Sequence, residues 1–179
     1  MAFSVDVGGR ACHQTPMVDR PSSVRVLMVC LGNICRSPLA EAALRAEAGR
    51  LSVDIAVESA GTGGWHVGHP PDRRAQATAR RHGIDISGYR GRQVEAADFR
   101  HFTHIFALDA DNLSDLRRIA PPDALAEIGL LLDQVEGWQG RSVADPYYGD
   151  QSDFETTWTE VDAAARAFVR WWSVDASPN

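Results

Sequence analysis

Short apolar runs alternate with longer stretches of helical periodicity along this chain. Val24-Arg25-Val26-Leu27-Met28-Val29 is β-rich and almost wholly apolar, which predicts a strand over 24–29 buried in a parallel sheet. Residues 39–50, rich in Ala, Leu, Glu and Arg, read as a helix, with Ser37 as its cap and Pro38 in its first turn. Residues 53–57 alternate like a strand, and 59–64 read as a turn region. A helix is predicted over 70–82, ended by Gly83. A strand over 103–108, a helix over 109–119 and a short strand over 128–132 follow. The last helix carries the strongest signal. Ser152 and Glu155 have capping-box spacing, and Phe154, Trp158, Val161, Ala165, Phe168 and Trp172 then recur every three or four residues. Those aromatics are expected in the core.

Strands alternating with helices predict an α/β fold, three layers with a central parallel sheet of about four strands. In such sheets ligands bind beyond the carboxyl ends of the strands, and the first such end is Val29-Cys30. Residues 1–23 lack periodicity and read as a mobile extension, residues 24–174 as one folded domain and residues 175–179 as a tail.

Composition narrows the picture. The 179 residues carry a formal charge of -6, which disfavours nucleic acid as a partner. No apolar run suits a membrane span and no secretory signal is evident, so no membrane partner is expected. All 18 basic residues are Arg, so lysine chemistry is absent. Three cysteines, Cys12, Cys30 and Cys35, do not make a disulfide framework and fit a reducing, cytoplasmic compartment. Cys12 is expected to be incidental.

Cys30-Leu31-Gly32-Asn33-Ile34-Cys35-Arg36 joins the first strand to the first helix. A loop in that place can turn backbone N–H groups toward a tetrahedral dianion, with a helix N-terminus behind it. Arg36 adds a planar fork for two phosphate oxygens. Cys30 at the mouth of this positive cradle is a nucleophile favoured as thiolate. A bare C-x5-R is a weak motif; its setting between strand, Gly32, Asn33, Ser37-Pro38 and helix makes it specific. Neither a Walker loop nor a dinucleotide fingerprint is present. The leaving oxygen needs a proton donor. Asp145, held extended on a loop by Pro146, is the candidate, with Tyr147 and Tyr148 beside it for an aryl group to stack on. Asp109 is the second candidate acid, read preferably as a helix N-terminal residue. His66/His69 and His101/His104 have H-x-x-H spacing but no third ligand, so no metal and no cofactor is expected.

From Val24 to Trp172 the chain resembles low-molecular-weight protein tyrosine phosphatases. The resemblance rests on Val29-Cys30-Leu31-Gly32-Asn33-Ile34-Cys35-Arg36-Ser37-Pro38, then Ser59-Ala60-Gly61-Thr62 with Trp65, then Asp145-Pro146-Tyr147-Tyr148. It implies the fold of that family and hydrolysis of phosphotyrosine in proteins through a phosphocysteine, with phosphate or vanadate as site ligands. Cys30 would be nucleophile, Arg36 clamp and Asp145 acid, then base. Ser37 would bond the thiolate, and Asn33 and Ser59 would brace the loop. Leu31, Gly32, Ile34, Cys35, Trp65, Tyr147 and Tyr148 would line the substrate crevice. Cys35 either points into the loop or forms a reversible disulfide with Cys30. Ile34 favours phosphotyrosine, because relatives resembling protein-arginine phosphatases carry a smaller polar residue there. The chain departs from the family at Gly88-Tyr89, where a loop-bracing histidine is usual. The rival functions are an arsenate reductase, which needs a further cysteine pair, or a protein-arginine phosphatase on the same fold, and a phosphotyrosine-binding module without turnover.

Overall fold

In the computed structural model, residues 23–174 are described. The extension expected over 1–23, apart from Ser23, and the tail over 175–179 lie outside the described residues, as does Cys12. Strand β1 is Val24–Cys30, followed by α1, Arg36–Leu51, and β2, Ile55–Gly61. Helices α2, Arg73–Arg81, and α3, Asp98–His101, precede β3, His104–Ala107. Helix α4, Ala110–Ile119, leads to β4, Glu127–Leu130, a 3-10 turn over Leu131–Gln134 and the long α5, Gln151–Val174.

The four strands form one parallel sheet in the order β2-β1-β3-β4. The period of two along β1 divides its side chains between two cores. Val26 and Met28 pack with α1, α2 and α5, whereas Leu27 and Val29 pack with Phe99 of α3 and Leu116 of α4. Phe154, Trp158, Val161, Ala165, Phe168 and Trp172 are all buried, as the spacing of the last helix predicts. The chain leaves β1 toward β2 on one side and returns to β3 on the other. The sheet therefore has its switch point at the carboxyl ends of β1 and β3, where a crevice opens.

Several local expectations need correction. Ser37 does not cap α1: the N-cap is Cys35, with no side-chain cap bond, and Ser37 lies within the first turn. The stretch expected to turn from residue 59 continues β2 to Gly61, in register with Cys30. The cap of α5 lies two residues earlier than Ser152-x-x-Glu155. The Asp150 carboxylate accepts from Ser152 N at 2.7 Å, and Asp153 accepts from Asp150 N at 2.8 Å. Glu155 instead pairs with Arg81 and His82. Helix α3, a single turn, has too little periodicity to read from sequence. Gly83 follows α2 at φ 79°, as expected of a residue past a helix end.

Candidate active site

The parallel ladder extends beyond β1 into the loop that follows it. Thr62 N donates to Cys30 O and Gly63 N to Leu31 O, both at 2.9 Å. Gly61 must be small: a Cβ there would stand 2.8 Å from Leu31 O and 3.2 Å from Asn33 N. On its other side, Gly61 exchanges backbone bonds with Arg92 O and Val94 N. The loop is thus clamped from below by residues 61–63 and 92–94.

Cys30 is buried, with its Sγ 3.0 Å from Ser37 Oγ, and Asn33 N donates to that sulfur at 3.3 Å. Asn33 holds a left-handed φ of 56°, a conformation Asn tolerates better than most residues. Its amide is spoken for at both ends. Nδ2 donates to Ser37 Oγ and Ser59 Oγ, each at 2.9 Å, and Oδ1 accepts from Arg92 N at 2.9 Å. Ser59 in turn donates to Glu41 Oε2 at 2.7 Å. Burial raises the Glu41 carboxyl above its ordinary range, against the opposing bonds from Ser59 and Arg45. Where the resemblance leads one to expect a histidine, Tyr89 packs beside Glu41 and the backbone N–H of Arg92 supplies the bond to Asn33.

Arg36 is 4% exposed and lies between two carboxylates. Its Nη1 donates to Asp109 Oδ2 at 2.6 Å and its Nη2 to Asp145 Oδ2 at 3.1 Å. Burial works against its charge, but Cys30, Asp109 and Asp145 outweigh that and hold the guanidinium above the ordinary arginine value. Asp109 also caps α4 by accepting from Asn112 N at 2.6 Å, so the preferred reading of Asp109 as a helix N-terminal residue matches its place. Asp145 is half exposed.

Cys30, Arg36 and Asp145 line one pocket of about 240 Å³. Leu31 and Trp65 stand on its rim at 46% and 71% exposure, and Tyr147 and Tyr148 meet edge to face across 4.9 Å. Gly32, Ile34 and Cys35 are in the lining too, and so is His66, which sequence reasoning did not assign to the site. Cys30 and Cys35 are both free. Burial, reinforced by Asp72, Cys30 and Asp145, pushes the Cys35 thiol far up, so it stays protonated. His66 and His69 have ring centroids 5.9 Å apart, whereas His104 is buried against Phe168 and Trp172. No group of three or more potential metal ligands occurs among the described residues. No described helix is long and apolar enough to cross a membrane.

Sequence reasoning also missed Glu41, Asp72 and Arg74. Pro70-Pro71-Asp72 is a readable helix start, but its link to the site exists only in three dimensions: Asp72 N donates to Ile34 O at 2.8 Å.

A family model described as low molecular weight phosphotyrosine protein phosphatase matches residues 25–177. Low molecular weight phosphotyrosine protein phosphatase 1 of Drosophila melanogaster is 42% identical over 148 residues, 82% of this chain and 95% of that protein. The crystal structure of YfkJ from Bacillus subtilis has a TM-score of 0.79 at 39% identity, covering 88% of this chain and 99% of that one. The Drosophila arginine phosphatase has a TM-score of 0.78 at 31% identity, covering 86% and 99%.

Proposed function

This chain belongs to the low molecular weight phosphotyrosine protein phosphatase family and is an enzyme of phosphotyrosine hydrolysis; on that premise we propose that Cys30, Arg36 and Asp145 carry the reaction through a phosphocysteine. The supporting observation is the position of the Cys30 sulfur, bonded by Ser37 Oγ and Asn33 N in a pocket it shares with Arg36 and Asp145.

The phosphoryl group of an aryl ester enters the loop of residues 31–36, whose amides hold its oxygens together with Arg36. Arg36 has five N–H donors and makes three protein bonds, so donor capacity remains for phosphate. The Cys30 thiolate attacks phosphorus. The S–P bond forms as the bond to the aryl oxygen breaks, and Asp145 gives its proton to that oxygen. Water then attacks the phosphocysteine and Asp145, now a carboxylate, takes its proton. The S–P bond breaks, releasing inorganic phosphate and the Cys30 thiolate. Asp109 acts on this cycle through Arg36, whose fork it orients.

Ile34 is apolar and lines the pocket with Tyr147 and Tyr148, which supports an aryl phosphate as substrate. A phosphotyrosine peptide should therefore be cleaved far faster than its phosphoarginine counterpart; the reverse preference would overturn the substrate reading. For the mechanism, Cys30→Ser should abolish turnover while inorganic phosphate still binds by calorimetry, because the cradle stays. Turnover near that of the parent enzyme would remove Cys30 as nucleophile.

A further inference from the structure

The loop that carries Asp145 is tied to the rest of the molecule at a second point. Arg74, the second residue of α2, reaches it through its guanidinium. Its Nη1 donates to Gly149 O at 2.8 Å and its Nη2 to Tyr147 O at 3.0 Å. The same guanidinium grips the Asp72 carboxylate through Nε at 3.0 Å and Nη2 at 2.9 Å. Asp72 is the N-cap of α2, and its backbone N–H holds Ile34 O of the phosphate loop at 2.8 Å. Beneath, the guanidinium carbon lies 4.7 Å from the ring centroid of Phe154, which is fully buried in α5.

From these contacts we infer that Arg74 is a positioning residue for proton transfer. It ties the Asp145 loop to the phosphate loop at a set separation, so that Asp145 stands over the leaving oxygen rather than elsewhere on its half-exposed segment. The inference rests on Asp145 being the general acid. Three features make Arg74 suited to the task. It is planar, so one side chain can serve a carboxylate and two carbonyls at once, which a lysine cannot. Its ring contact with Phe154 fixes the plane of the fork. Its partners Tyr147 and Gly149 lie two and four residues beyond Asp145, close enough for a slack loop to displace the carboxylate. The alternative anchor, the 3.1 Å bond from Arg36 to Asp145, is weaker when the acid is needed. Asp145 must be protonated at that moment, and the bond then loses its charge assistance.

The test compares Arg74→Gln with Asp145→Asn on phenyl phosphate, a poor leaving group, and 2,4-dinitrophenyl phosphate, a good one. General acid catalysis is typically worth about 10²–10⁴-fold, so Asp145→Asn should lose that much in kcat/KM on phenyl phosphate and little on the dinitrophenyl ester. Arg74→Gln should show the same pattern at smaller amplitude: roughly 10-fold or more in kcat/KM, which reports formation of the phosphocysteine, for phenyl phosphate and under about 3-fold for the dinitrophenyl ester. Inorganic phosphate affinity should be unchanged, and adding Arg74→Gln to Asp145→Asn should cause no further leaving-group effect. A loss in kcat/KM uniform across leaving groups, or phosphate affinity falling in step with kcat/KM, would overturn the role assigned to Arg74. If Asp145→Asn itself shows no leaving-group dependence, the acid assignment fails first, and the two failures are told apart. Should Arg74→Gln not fold, Arg74→Lys keeps the charge near Phe154 but not the fork, and the same comparison is read on it.

Discussion

Ser37 stands at the narrowest point of the site's hydrogen-bond network. Its hydroxyl meets the Cys30 sulfur at 3.0 Å and accepts from Asn33 Nδ2 at 2.9 Å, so one oxygen links the nucleophile to the residue that shapes the loop. A hydrogen bond to a charged group contributes about 1.5–3 kcal/mol, roughly 10- to 100-fold in rate where the charge is the leaving thiolate. Ser37→Ala should therefore slow breakdown of the phosphocysteine more than its formation, and the intermediate should accumulate in rapid-quench experiments. Equal slowing of both steps would argue that Ser37 serves only to brace Asn33. The Ser-Pro rule reads that serine as a helix cap, while the family resemblance implies its bond to the thiolate; its bonds run to residues 4 and 7 positions away, which a local rule does not see.

At the scale of elements, the loop's shape depends on β2 ending where β1 ends. Gly61 sits opposite Cys30, and a methyl group there would be 2.8 Å from a backbone oxygen that cannot move without moving the loop. Gly61→Ala should cost stability in the range of about 1–3 kcal/mol for an overpacked site and reduce kcat with it. A fully active, equally stable variant would show that the loop can yield. Helix α5 is set by a different device. Asp150 and Asp153 satisfy its first turn reciprocally, and loss of such a cap costs about 1 kcal/mol. Asp150→Ala should lower Tm by roughly 2–4 °C on that basis, whereas Ser152→Ala, the substitution that the sequence alone would nominate, should do less. Differential scanning calorimetry of the two variants decides between them.

For the whole molecule, stability should fall on the acid side through His104. It is buried between β3 and α5 against Phe106, Phe168 and Trp172. Burial lowers its proton affinity below the ordinary value of 6.5, and Glu127 only partly opposes this. The unfolded chain then takes up a proton near pH 6.5 that the native state refuses, so stability is complete above that pH and declines as pH falls toward the lower native value. Urea unfolding at pH 7.5 and 5.5 should show the decline, and His104→Gln should flatten it; an unchanged slope would assign it to other groups. Glu41 has the opposite sign. Its carboxyl is raised by burial, so its contribution is complete below the ordinary carboxylate value and declines as pH rises from there toward the raised native value.

The order of strands and helices, the two-sided burial of β1, the buried stripe of α5, the run Cys30 to Arg36 and the Asp145-Pro146 loop were all legible in the amino-acid order. Each is a local property: a periodicity, a propensity or a run of residues whose chemistry is complete within a few positions; the bracing role of Ser59 came from the family resemblance alone. What only the tertiary structure decided is which distant groups share an atom. The sheet order β2-β1-β3-β4 brings Asp109 and Asp145 to the two ends of one guanidinium, Arg92 to the amide of Asn33, and Asp72 and Arg74 between the two loops of the pocket. Such contacts join residues 38 to 109 positions apart, from Ile34–Asp72 to Arg36–Asp145. Sequence pattern encodes the face each residue presents, but the partner across that face is set by packing the layers together.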